Sequence, residues 1–381
     1  MFPYFIKELK NGYFISGGDK KLFVYNEKYH QVIDINMKNY ISNVTEIKTI
    51  EKTERSRREI KLIICAKGET PLLIINTEKN EYKIKNNKSN VSTTFCLEIK
   101  KNSYLALREN EVYVISDLFN KIIASNRNKL FDGTYKGAIK LSKNIFALSS
   151  NKILKNGENK LKFYNSNSKR IVKEINGYSF IASSNGLVLM PKEESETSKI
   201  LLCACKKYQS NQKNGILLVN ANIEKMIEIN NPFYNTGNFE VHCFCPLSVK
   251  PKRNYIKIFN DDEIIETDYF LVGGYDKSKG RGKIKLYKLI RNNNIKDTKI
   301  QFIQDIDVKK TKQFNGFKDP INCITQSRQD LKILISCMDG NIYLLSSPNI
   351  DIFTKYEEKT KYDLISTQME NKRKEIIVSA E

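Results

Sequence analysis

The residues best suited to hold a metal in this chain are Cys203-Ala-Cys205 and His242-Cys243-Phe-Cys245. Side chains two apart on a β-strand face the same side, so each Cys-X-Cys presents two sulfurs together, and sulfur with imidazole makes a tetrahedral zinc set. Structural zinc more often uses a two-residue spacer on a turn. Both pairs also lie in apolar stretches, where a free thiol packs as a small hydrophobe. They therefore read as reduced packing residues, as does Cys337. Nucleophilic or general-base chemistry needs converging titratable groups, and the chain has only two histidines, His30 and His242. No catalytic residue, metal ligand or cofactor is expected.

The glycine-rich stretch GGYDKSKGRGK, Gly273 to Lys283, has the composition of a phosphate cradle. It sits between two strand-like runs and lacks the following helix whose N-terminus would hold the phosphate. It reads instead as a basic hairpin tip, with Lys279, Arg281 and Lys283 facing an acidic partner. A second basic group, Arg55, Arg57 and Arg58, lies in the insertion KTIEKTERSRREIK, which has no apolar period of its own. These six residues are the candidate partner contacts, and neither set is expected to matter to the core.

Net charge is +21, from 64 basic and 43 acidic residues. This favours acidic protein surfaces, with nucleic acid or anionic phosphoinositide lipid as the alternative. The charge runs along nearly the whole chain, with heavy use of Asn, Lys and Ile, as drift of the coding sequence towards A and T would also give. The eight cysteines have apolar neighbours, as in LIICAK and TTFCLE, and suit a reducing compartment. MFPYFIKELKNGYF lacks the layout of a signal peptide, and no apolar run is long enough to span a bilayer. The cytoplasm is the expected location, with the nucleus as the alternative.

What must position these groups is a repeat. GGDKKLFVYN returns as KGETPLLIIN, LRENEVYVIS, NGENKLKFYN, QKNGILLVN, GRGKIKLYK and MDGNIYLLS, at intervals of roughly 40 to 70 residues. Each copy follows a second apolar run across a Gly, Asp or Asn turn, as in YFISGG, YLALREN and YFLVGG, and the two make a hairpin. Alternating stretches such as HQVIDI, KRIVKEI and KMIEI supply an outer strand, and runs such as FIKEL and INCITQ an inner one. The central pair of each unit is apolar at nearly every position, so both of its faces must be covered by neighbouring sheets. Seven four-stranded units of this kind predict an all-β, seven-bladed β-propeller.

The phrase resembles the WD40 repeat, in which a Trp-Asp pair closes the third strand of each blade. Here the aromatic place holds Tyr25, Tyr164 and Tyr287 in three copies, and the next place holds Asn26, Asn76, Ser116, Asn165, Asn220, Lys288 and Ser346. Asn and Ser accept hydrogen bonds from the backbone two residues on and start the turn outward, the task of the Asp. The chain has no tryptophan, and the Gly-His pair of the family is missing. The resemblance implies an interaction scaffold that binds through face loops and insertions. Phosphoinositide-binding propellers carry Phe-Arg-Arg-Gly; Ser56-Arg57-Arg58-Glu59 resembles it only in the two arginines.

The propeller is expected over residues 1–356, with insertions at Lys48 to Lys61 and Lys250 to Asp268. The tail, 357–381, reads as a docking helix through Ile365, Met369 and Ile376, as a closing strand at IIV, or as a disordered segment.

Overall fold

The computed structural model describes residues 5–47, 59–67, 70–85, 93–100, 103–108, 111–118, 121–129, 135–150, 160–181, 184–190, 199–207, 213–222, 228–249, 265–291, 294–306, 308, 316–345 and 364–367. The chain divides into two compact units, Met1–Ser184 and Asn185–Glu381.

The first unit holds four antiparallel sheets. Their strands, from inner to outer, are Phe5–Glu8, Phe14–Gly18, Lys21–Tyr25 and Gln31–Asn36; then Ile41–Glu46, Glu59–Ala66, Leu72–Asn76 and Glu81–Lys85. Phe95–Lys100, Ser103–Arg108, Glu111–Leu118 and Lys121–Lys129 make the third sheet, and Tyr135–Lys140, Ile145–Ser150, Leu161–Asn165 and Arg170–Ile175 the fourth. In the second unit, the fifth sheet pairs Leu187–Leu189, Ile200–Lys207, Lys213–Asn220 and Phe233–Gly237. The sixth has Phe239–Val249, Ile265–Asp276, Arg281–Ile290 and Lys299–Asp305, and the seventh Ile321–Gln326, Ile333–Cys337, Ile342–Leu345 and Leu364–Thr367. Each of the seven sequence copies thus has its own sheet.

The unbroken apolar runs of the central strands are explained by where alternate side chains go. In Glu59–Ala66, Leu62 and Ile64 enter the core shared with the first sheet, beside Phe5, Ile15 and Leu22. Ile63 and Cys65 enter the core shared with the third sheet, beside Cys96, Tyr104 and Ala106. The third sheet repeats the division: Leu105 and Leu107 leave on the other face for Phe146, Leu148 and Tyr164 of the fourth. All these side chains are buried, and each large aliphatic one contributes about 1.5–3 kcal/mol of transfer free energy.

The third strand ends where the sequence places a side-chain acceptor. Asn26 Oδ1 accepts from the amides of Lys28 and His30, at 3.0 and 2.9 Å. Asn76 Oδ1 accepts from Glu78 and Lys79, and Asn165 Oδ1 from Asn167 at 2.9 Å and Ser168 at 3.1 Å. Asn220 Oδ1 accepts from Asn222. Ser116 and Lys288 do not end their strands, which run two residues further to Leu118 and Ile290. Lysine has no acceptor to offer, so the ladder continues. Just inside this end, Tyr25, Tyr164 and Tyr287 stand opposite Phe14, Phe146 and Phe270. The rings of Phe270 and Tyr287 stack at 5.7 Å.

Three expectations are corrected. The outer strand of the fifth sheet is Phe233–Gly237, downstream of KMIEI, whose first three residues lie outside the described ones; the Phe233 ring packs over Gly215, where a Cβ would lie 2.4 Å from it. Ile365 belongs to a strand, not a helix: it stands opposite Leu344 in the fourth strand of the seventh sheet, where the edge of Ile342–Leu345 needs backbone partners. This sheet therefore draws a strand from beyond residue 356. The insertions, finally, are not loops throughout, since Glu59–Lys61 and Ile265–Asp268 extend the ladders of their hairpins.

Asn165→Ala removes two hydrogen bonds that close an exposed turn and should cost about 1–3 kcal/mol, whereas Asn165→Asp keeps the acceptor and should cost far less. Urea unfolding of the two variants checks this, and equal losses would assign the effect to something other than the acceptor.

Candidate interaction surface

The basic tip predicted between Gly273 and Lys283 is a tight turn. Asp276 ends the strand, and its Oδ1 accepts from the Ser278 amide at 3.1 Å and from the Ser278 hydroxyl at 2.6 Å. Gly280 takes a φ of +58°, the left-handed region that favours glycine. Lys277, Ser278 and Lys279 are exposed, and Arg281, opposite Asp276 in the ladder, is half-buried.

Lys283 differs from its neighbours. Its Nζ lies 2.7 Å from Asp305 Oδ2 and 3.5 Å from Asp276 Oδ2, with only 13% of its side chain exposed. Its charge is held inside the sheet, contrary to the expectation that it is irrelevant to the core. Burial opposes its charged form, but the bond to Asp305 outweighs this and raises the ammonium pKa. Burial alone would raise the Asp276 carboxyl, yet the bonds from Ser278 and the charge of Lys283 hold it below its ordinary value. The tip therefore offers Lys279 and Arg281 outward, while Lys283 braces its base. Arg55, Arg57 and Arg58 lie outside the described residues.

Beside the tip is a network that the sequence did not reveal. Glu240 receives Lys206 at 2.5 Å and Lys277 at 3.2 Å. Burial would raise its carboxyl, but the two ammonium groups win and lower it. Lys206, Glu240 and Lys277 come from separate strands and a turn, so no local motif marked them. Two residues on, His242 is half-buried, and burial holds its imidazole below the ordinary 6.5 despite the pull of Glu240.

The four cysteines of the candidate zinc set are buried and outside any disulfide. Burial pushes the Cys203 and Cys243 thiols well up, and that of Cys245 up to about 12. Cys243 Sγ donates to the Ile321 carbonyl at 3.8 Å, and Cys243, Cys245 and Cys337 share one core cluster. His30 is exposed at the start of an outer strand. Among the described residues no helix is long and apolar enough to cross a membrane.

No protein-family model matches the chain, and no curated protein matches its sequence. Solved structures do match its fold. A chain of a mitotic checkpoint complex superposes with a TM-score of 0.55 at 9% identity, over 90% of this chain and 87% of that one. A chain of the Kuenenia stuttgartiensis hydrazine synthase gives 0.58 at 6% identity, over 91% and 95%. The β-propeller domain of Cps50 (Swd1) from Myceliophteria thermophila gives 0.50 at 7% identity, over 90% and 96%. The fold is a β-propeller.

Lys283→Glu places a third acid beside Asp276 and Asp305 and should cost on the order of 1–3 kcal/mol, whereas Lys279→Glu should change stability by less than about 0.5 kcal/mol. Parallel thermal melts check the contrast. Acidification should destabilise the fold in two stages. His242 has a depressed folded pKa, so stability is present above 6.5 and falls as pH drops through that value. Asp276 and Glu240, also depressed, lose their contribution only below 3.8 and 4.5 respectively. His242→Gln should abolish the first stage and keep the second.

Proposed function

We propose that this chain is a non-enzymatic protein-interaction scaffold that binds acidic partners through its face loops and basic insertions. The observation that carries this reading is the use made of the groups able to do acid–base or nucleophilic chemistry. Glu240 is tied to two lysines, Asp276 to Ser278 and Lys283, and the thiols are buried in the cores. The exposed Lys279 and the half-buried Arg281 stand instead on a hydrogen-bonded turn whose base is braced by ion pairs. Such a turn presents charge at little cost in lost flexibility, which suits recognition by shape and charge. Arg55, Arg57 and Arg58 belong to the same proposal as a second contact.

Purification of the tagged chain from its native source, with mass spectrometry, identifies candidate partners. Each is then tested against Lys279→Glu/Arg281→Glu and against Arg55→Glu/Arg57→Glu/Arg58→Glu. At least one reversed variant should bind an acidic partner more weakly and with a shallower salt dependence, because fewer charges are neutralised on contact. Unchanged affinity in both would contradict the placement of the site.

A further inference from the structure

The most exposed of the large hydrophobic side chains among the described residues is Tyr40, at 59%. It stands in the loop that leaves the outer strand of the first sheet for the inner strand of the second. Its backbone is fixed by its neighbours: Met37 N donates to Lys20 O at 2.7 Å, Ile41 N to Asp19 O at 2.7 Å, and Lys67 N to Tyr40 O at 3.0 Å. Lys20 places its Nζ 5.5 Å from the centre of the Tyr40 ring. Lys20, Lys38 and Lys67 are all exposed, and each comes from a separate turn or loop segment around the tyrosine. Among the described residues of these turns, the acid is the half-buried Asp19.

We propose that Lys20, Lys38, Tyr40 and Lys67 form a contact for single-stranded nucleic acid, in which a base stacks on Tyr40 and the lysines meet the adjoining phosphates. A flat aromatic ring held out in solvent among cations is what a base and its backbone require, because every base has a π-face and every nucleotide a negative charge. An acidic peptide would satisfy the lysines but not the ring.

The test is fluorescence anisotropy of the full chain with a labelled oligouridylate of about 12 nucleotides, titrated between about 50 and 200 mM salt. Tyr40→Ala should weaken binding about 5- to 150-fold at fixed salt and leave the salt slope unchanged. Tyr40→Phe should bind within about twofold of wild type, since stacking needs the ring and not the hydroxyl. Lys38→Ala/Lys67→Ala should reduce the slope of log affinity against log salt by about 0.7 per lysine. Melting curves for all variants should match wild type, because these side chains lie outside the cores.

Three results would overturn the proposal. The wild type could fail to bind the oligonucleotide. Tyr40→Ala could bind as well as wild type, leaving only diffuse charge. Or an oligoglutamate peptide could bind in a Tyr40-dependent way where the oligonucleotide does not, making the patch a protein contact.

Discussion

The rest of this structure depends on one constraint: the two central strands of each repeat are apolar on both faces, and no single sheet can bury both. Ile63 and Leu62 are adjacent in sequence and belong to different cores. Leu105 and Tyr104 divide in the same way. Within each unit, adjacent sheets therefore cover one another. A repeat cut out of this chain would expose both faces of its best apolar strands, which is why the pattern must recur several times before it is stable.

The polar features follow from the same arrangement. Because the cores take the strands, the turns become the place where polar side chains can act, and the asparagines that close the third strands act on the backbone beside them. Charges near the sixth hairpin are largely matched within the protein, through Lys283 with Asp305 and Lys277 with Glu240. The hairpin still presents Lys279 and Arg281, and the lysines around Tyr40 are exposed as well.

Much of the fold was legible because its signals are local. The apolar pair, the glycine or asparagine turn and the terminal acceptor all fall within about ten residues, a span over which pattern fixes strand and turn. What the sequence did not show were pairings between distant segments. The strand at Leu364–Thr367 is chosen by the open edge of Ile342–Leu345, and helical spacing at Ile365 says nothing of that edge. Phe233–Gly237 pairs with the strand that holds Gly215, and the Phe233 ring packs over that glycine, a contact which no periodicity reports. The same holds for the candidate surfaces. The turn at Lys277–Gly280 was readable, but the role of Lys283 depends on Asp305, a neighbour only in the folded sheet. Tyr40 was hidden by its type, since Tyr25, Tyr104, Tyr164 and Tyr287 are all core residues.

Hydrogen exchange of wild type and Ile63→Ala tests mutual cover between sheets most directly. Ile63 lies in the second sheet but fills the core shared with the third. Truncating it should speed amide exchange in its own strand, Glu59–Ala66, and also in Ser103–Arg108 of the third sheet, while Phe14–Gly18 of the first is less affected. Acceleration confined to Glu59–Ala66 and its hydrogen-bonded neighbours would contradict the account, because each sheet would then be stable without the one beside it.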